Sequence, residues 1–526
     1  MAEEAGSHQT GDLVAAGKAE LTRGAFGVHF STNGGPDSSI VDELQSMVLD
    51  ARVEGAQLVA RDAADTLAEQ ADVVKLLLTA GHSDEGNAIC VARLYDGRFS
   101  FNEAFGWSAY DGRAWQIDHA EKVLERAIVH TLVKRIEAAS QPEEFEKHDK
   151  LRKFCLPNRG RIEGAKYALS SRVVIDPGTF DAEPDLLNCR NGIVDLRTGE
   201  LTPHASSQRF MHCTNVAYRP GADPRAWLTW LHEAVGEEQA KWLQLAVGYT
   251  LTGHTREEVL FYLFGPSRAG KGLFTETLKA VLGSPLAKEV NFGTFTAQRT
   301  GDSQNFDLAP LKPCRMVAAS ESNSYERFNE AKVKALTGGN EVYAAYKRHD
   351  LFNYRPQFKI WLSSNQPVNA DPDDDAVWGR LRLVEFPHSH LGSEDKLLKE
   401  HMRAPVVLEG VLAWAVAGAI QWYRLGSQGL SEPATSIELK REQRESLDAV
   451  AMWIDECCML GDGDLAPRDV FTASSALYSS YEGWCRHSGV EPKKAKGFGQ
   501  ALMRKRFMPG RDSSGARGFK GLKLKN

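Results

Sequence analysis

At 526 residues, with 42% hydrophobic and 25% charged residues, the chain has the composition of an ordinary globular protein and length for about three or four domains. Its eight cysteines include no C-x-x-C pair and no zinc spacing, which speaks against a disulfide scaffold or zinc ribbon and for reduced thiols in a cytosolic setting. The net charge of -7 hides an asymmetry. Residues 493–526 hold eleven Lys/Arg against the single acid Asp512, a local +10, leaving about -17 on the rest. A basic end on an acidic body suits a polyanionic partner.

The first twenty residues contain no apolar stretch, so no secretory signal is expected. Residues 1 to about 75 are rich in Ala, Glu, Asp and Gly, and 38–78 show helical periodicity without a catalytic pattern. From 86 to 117 the chain is alternating and aromatic, with Asp96-Gly97 and Asp111-Gly112 dipeptides, which predicts strands and hairpins. An amphipathic helix is predicted over 119–140, then short β pieces around NGIVDLRTGELTPH, then helices at 224–236 and 238–250. Apolar β-rich runs at 259–264, 314–319 and 358–363 follow, alternating with helical stretches. They predict a parallel sheet with crossover helices and strands buried on both faces. A helical segment at 402–424 contains VLAWAVAGAI (411–420), too short to span a bilayer and read as a buried helix. The polar LGSQGLSEPATS leads to the last module.

The chemistry concentrates around FGPSRAGKGLF. Gly265, Pro266, Ser267, Arg268, Ala269, Gly270, Lys271, Gly272 and Leu273 lie between an apolar strand and a helical run. Backbone N–H groups at such a turn cradle phosphates, and the lysine neutralises β/γ charge. The usual Ser/Thr after the lysine is Gly272 here, which raises the question of how Mg²⁺ is held; Thr275 is a candidate helper one turn on. Downstream, CRMVAASESN is a strand ending in Glu321, a carboxylate suited to polarising water or holding a metal-bound water. FKIWLSS ends in Asn365, suited to positioning the attacking water, and VWGRLRLVEF supplies Arg380 and Arg382, either of which can reach a neighbouring subunit's γ-phosphate. The acidic run DPDDD (371–375) reads as a solvated loop.

These residues, with LTGGNEVYAAYKRHDLFNYRPQFKIWLSSNQPV, resemble the phage/plasmid primase–helicase family of helicase superfamily 3, which includes the poxvirus nucleoside triphosphatases. The resemblance covers roughly 86–390. It implies an α/β, AAA+-like P-loop ATPase core, preceded by an α+β domain, that assembles as a hexameric ring around DNA with ATP and Mg²⁺ between subunits. It makes Lys271 the Walker A lysine, Glu321 the Walker B acid and metal site, Asn365 sensor 1 and Arg380 the arginine finger. Gly338–Arg348 resembles the segment leading into a channel hairpin, whose tip would be Lys347, Arg348 and His349. Asn340, Ala345 and Gly379 depart from the family, which often has Asp, a basic residue and a second arginine there.

The tail reads as a helix, a basic helix and a Gly-rich hairpin, an order that resembles a winged-helix-like DNA-binding domain. Lys496, Arg504, Lys505 and Arg506 would then lie near phosphates. The divisions expected are 1–85, 86–235, 236–400, a helical lid and linker at 401–445, and 446–526. Residues 1–85 are too short and helical for a primase domain, so no primer synthesis is expected of this chain, and a separate primase is a candidate partner. The function expected is an ATP-dependent DNA helicase of phage or plasmid-type replication, in bacterial host cytoplasm. The alternative is a non-translocating replication initiator or regulatory ATPase.

Overall fold

In a computed structural model of the chain, the residues described are 66–295, 306–320, 328–345, 351–393, 395–460 and 470–525. The first unit contains α1 (Thr66–Thr79), α2 (Asp84–Leu94), the antiparallel strands β1 (Phe99–Asn102), β2 (Gly106–Tyr110) and β3 (Trp115–Gln116), then α3 (Ala120–Ala139), α4 (Asp149–Phe154) and α5 (Arg159–Ser170). Residues 86–94, predicted as strand, are helical. Ser83 Oγ accepts from the Gly86 N–H at 3.0 Å, Asp84 and Glu85 sit in the first turn, and Ala88 and Val91 bury one face. The fully buried Arg135 on α3 fastens this corner, donating to the Leu77 carbonyl at 3.0 Å and to Asn87 Oδ1 and the Gly81 carbonyl at 2.6 Å.

A three-stranded antiparallel sheet follows, β4 (Leu186–Cys189), β5 (Gly192–Asp195) and β6 (Leu201–Thr202), then α6 (Arg225–Val235) and α7 (Glu237–Leu251). The main sheet is built from β7 (Leu260–Phe264), α8 (Lys271–Leu282), β8 (Ala287–Asn291), β9 (Met316–Ser320), α9 (Glu330–Thr337), the antiparallel hairpin β10 (Val342–Ala345) and β11 (Leu351–Tyr354), β12 (Lys359–Ser364), α10 (Asp375–Arg380) and β13 (Leu381–Glu385). Its order is β13-β7-β12-β9-β8, all neighbours parallel, as the apolar runs predicted. The edge strand β8 had not been anticipated.

Alternate residues of β7 serve two cores. Phe261 and Leu263 face α6, α7 and α8, where Phe261 stacks on Trp361 at 4.1 Å between centroids. Leu260 and Tyr262 face the side of α9, α10 and the hairpin. At the N-terminal ends of β9 and β12 two buried cations tie in neighbouring segments. Arg315 donates to the Glu183 carbonyl at 3.1 Å, and Lys359 to the Thr252 carbonyl at 2.5 Å. Burial depresses both pKa values, that of Arg315 to about 10.

After α11 (Leu398–Met402), α12 (Pro405–Leu425) follows, close to the helical segment expected at 402–424 and longer than the apolar run 411–420 within it. By length and composition 405–428 could cross a membrane, yet 61% of that window is buried inside the protein, and α12 is a core helix packed on α7. The two backbones meet closely: a Cβ at Gly418 would lie 2.0 Å from the Gln244 carbonyl oxygen, and one at Gly248 2.1 Å from the Ala419 nitrogen. The chain continues through α13 (Ala434–Ser446), α14 (Ala449–Cys457), β14 (Cys458–Leu460), β15 (Phe471–Ala473), α15 (Ser474–Ser488), α16 (Ala495–Arg504), β16 (Met508–Arg511), β17 (Arg517–Lys520) and β18 (Leu522–Leu524). Here β15, β17 and β16 form an antiparallel sheet, and α14, α15 and α16 close a separate small core around Trp453, Tyr481 and Phe498.

Candidate nucleotide and nucleic-acid sites

The strand β7 runs into a turn that only glycine satisfies at two points. Gly265 has φ +143°, and a Cβ there would lie 2.1 Å from the Phe386 carbonyl oxygen; Gly270 has φ +102° and packs against Trp230. Arg268 between them is also left-handed, at φ +62°. Gly270 is the N-cap of α8 and supplies no side-chain cap, so the helix offers its first N–H groups to whatever sits in the turn. The segment after β13 lies across the outside. Ser389 Oγ donates to the Ser267 carbonyl at 2.8 Å, and the His390 N–H to the Arg268 carbonyl at 3.2 Å. Nothing in the sequence had marked this segment beyond its position after a strand.

Lys271 is buried, and its ammonium donates to the Gly265 and Pro266 carbonyls, each at 2.7 Å, and to Asn365 Oδ1 at 2.8 Å. Burial pulls its pKa below the usual lysine value. Sheet order explains the meeting with Asn365, because β12 lies beside β7 and ends one residue before it. On the other side of β12, β9 ends at Ser320; Glu321 lies outside the described residues. Thr275 donates its hydroxyl to the Gly272 carbonyl at 3.1 Å. At Gly272 a Cβ would meet nothing within 4 Å.

Arg380 stands apart from this group. It precedes β13, whose Leu381 pairs with Leu260 at the start of β7, whereas the turn follows Phe264 at its end. The separation is about 15 Å along the strand at ~3.3 Å per residue. Within its own chain its guanidinium is held by Glu258 Oε2 at 2.5 Å, Thr337 Oγ1 at 3.2 Å and the Ala376 carbonyl at 2.8 Å. Glu258, absent from the sequence-based site, sits in the left-handed region at φ +51°. Arg382 is half-buried beside Glu432 at 3.7 Å and donates to the Gly379 and Leu381 carbonyls. Lys347, Arg348 and His349 lie outside the described residues, between β10 and β11 in the sequence.

In the C-terminal unit the predicted contacts separate into two groups. Lys496 lines a cleft of about 550 Å³ between α16 and the β16–β17 hairpin, together with Gly499, Gln500, Arg511 and Arg517. Arg506 is exposed just past α16. Arg504 instead pairs with Asp373 at 3.2 Å, and Lys505 pairs with Asp448. The run 371–375 is therefore not the solvated loop expected. Asp371 and Asp373 hold Lys493, Asp374 holds Lys334, and Asp375 holds Arg444.

Residues 88–236 match the family described as D5 N terminal like, and residues 263–380 match a family of unknown function. Among curated proteins, the chain is 25% identical over 223 residues to "Putative helicase L207/L206" of Acanthamoeba polyphaga mimivirus. The match spans 41% of this chain and 23% of that protein. It is 27% identical over 144 residues to "Putative helicase 022R" of Frog virus 3, spanning 26% and 14% of the two chains. With "Putative helicase 121R" of Invertebrate iridescent virus 3 it shares 18% identity over 335 residues, spanning 58% and 35%. The chain thus aligns with about a third or less of each relative's length. Among solved structures, the apo NrS-1 C-terminal region gives a TM-score of 0.45 at 12% identity, covering 81% of this chain and 96% of that one. Residues 88–236 carry the D5-type domain of the primase–helicase family, and the chain is a homologue of these viral proteins named as helicases, as its motifs implied. The relatives lend no support to a bacterial host.

Proposed function

We propose that the chain is an ATP-driven DNA helicase of the superfamily 3 type, with an AAA+-like core working in a ring. The observation that carries this reading is Lys271 held between the loop carbonyls and Asn365 at one end of β7, with Arg380 at the other. The loop suits a triphosphate through its glycine turn, its uncapped helix N-terminus and a buried ammonium whose present partners are two carbonyls and an amide. Phosphate oxygens would take those neutral acceptors' place. Asn365, released from the lysine, would orient water beside the γ-phosphate. Mg²⁺ would bridge the phosphates and neutralise their charge. Glu321 is its proposed protein ligand through water, and the open space at Gly272 leaves room for a metal-bound water where a hydroxyl usually stands.

That space makes Gly272→Ser a clean probe. The variant is expected to fold with stability within about 1 kcal/mol of the parent and to retain its ATPase rate. A large gain in rate, measured across a Mg²⁺ titration, would mean that the natural site is short of a metal ligand.

The C-terminal unit is proposed as a winged-helix-like domain that places α16 and its hairpin on duplex DNA, while the β10–β11 hairpin with Lys347, Arg348 and His349 follows a single strand in the channel. Two glycines inside α16 support the duplex contact. Gly497 and Gly499 weaken a helix by about 1 kcal/mol each relative to alanine. Neither is needed for packing, since a Cβ at either would find its nearest neighbour at 3.8 Å. Gly499→Ala is therefore expected to raise the melting temperature while weakening duplex binding several-fold, by anisotropy, because it fills the cleft a sugar–phosphate strand would enter. Equal binding would remove the cleft from the interface. The whole reading is tested by DNA-stimulated ATPase, mass with and without nucleotide, and strand displacement on a fork. ATP turnover with no displacement would favour a non-translocating initiator.

A further inference from the structure

The cations on one face of α16 lead in two directions. Residues 496, 500 and 504 are spaced four apart and share that face, and Lys493 lies in line with them just before the helix. Lys496 and Gln500 line the open cleft. Lys493 and Arg504, one at each end, are taken by carboxylates from a distant loop. The Lys493 ammonium lies 3.1 Å from Asp371 and 2.6 Å from Asp373, and the Arg504 guanidinium 3.2 Å from Asp373.

We propose that the loop 371–375 stands in for a phosphate backbone on this face, so that duplex DNA and the loop compete for Lys493 and Arg504. This rests on the proposed DNA binding by the C-terminal unit and adds Lys493 to its interface. The loop has two sides. Its inner atoms are fastened to the sheet unit: Asp374 caps α10 through the Ala376 and Val377 N–H groups and holds Lys334 at 2.7 Å, while the Pro372 carbonyl accepts from Arg444 at 2.6 Å. Its outer carboxylates, Asp371 and Asp373, reach the C-terminal unit. Nucleic acid has two attractions for Lys493 and Arg504 that the loop lacks, a continuous line of phosphates and the release of their condensed counterions. Displacing the outer carboxylates would part the C-terminal unit from the segment that leads directly into α10, which ends in Arg380. Occupancy of the DNA surface is thereby coupled to the helix carrying the proposed trans-acting arginine.

The test uses the full chain and a duplex probe read by anisotropy across a salt titration. Asp371→Asn with Asp373→Asn keeps a side-chain oxygen at 371 to accept from the residue 373 N–H while removing both charges. This double variant is expected to bind about tenfold tighter at ~0.15 M salt, the effect of freeing two cations for phosphate. The gain should vanish when Lys493→Ala and Arg504→Ala are added. Hydrogen exchange supplies a second readout: in the unmodified chain, duplex should speed amide exchange at 371–375. Unchanged or weaker binding by a double variant that melts like the parent overturns the competition and leaves DNA binding standing. No binding by either chain at low salt overturns both.

Discussion

Replacing Lys271 with alanine is expected to lower ATP turnover by at least about 10²-fold, the effect of removing one preorganised charge from a transition state. The chain should still fold. The lost side chain makes three hydrogen bonds, each worth about 1 kcal/mol net, and the Pro266 end of the loop is exposed, so water reaches one of the carbonyls released. The Asn365 amide, left without the ammonium, is also exposed. Lys271→Arg is expected to be inactive as well, because the planar guanidinium cannot occupy the buried site between two carbonyls and an amide. The measurement is steady-state hydrolysis at saturating DNA and Mg²⁺, with a thermal melt as the control. Turnover at the parent rate from a folded Lys271→Ala chain would end the phosphate-loop reading.

Sequence legibility followed locality. The glycine turn, the lysine and the strand before them are contiguous, and the central strands announce themselves because both faces are buried, as in the fully buried β12. The edge strand β8 buries only its first residue fully, so AKEVN carried no such signal. Residues 86–94 misled because a short apolar run fits either period, and the deciding feature, the Ser83 cap, lies just outside it. The acidic loop misled for a different reason. A run of aspartates looks solvated until its cations arrive, and Lys493 lies 122 positions from Asp371. The Arg380–Glu258 pair is likewise 122 positions apart, so the sequence could offer the arginine but not what holds it.

Arg380→Ala is expected to reduce ATP turnover by about 10³-fold or more, the range for a finger that stabilises transferring phosphoryl charge. Geometry adds a stronger expectation. Because Arg380 and the phosphate loop occupy opposite ends of the β7–β13 pair, one chain cannot bring its own guanidinium to its own loop without dismantling the sheet. If Arg380 serves the proposed ATP site, it must therefore come from a neighbouring subunit. Arg380→Ala and Lys271→Ala, each inactive alone, should then complement when mixed. An interface pairing the intact lysine of one with the intact arginine of the other forms at roughly a quarter of contacts in a randomly assembled head-to-tail ring. The intrachain pair makes a further demand, since the guanidinium must leave Glu258 to serve a neighbour. Glu258→Gln weakens that hold and should ease assembly with nucleotide, read as a larger mass at a given protein concentration. Mixed inactive chains that stay inactive, under conditions where the parent forms oligomers, would exclude Arg380 as the residue acting between subunits and leave it as a strut between α10 and the turn before β7.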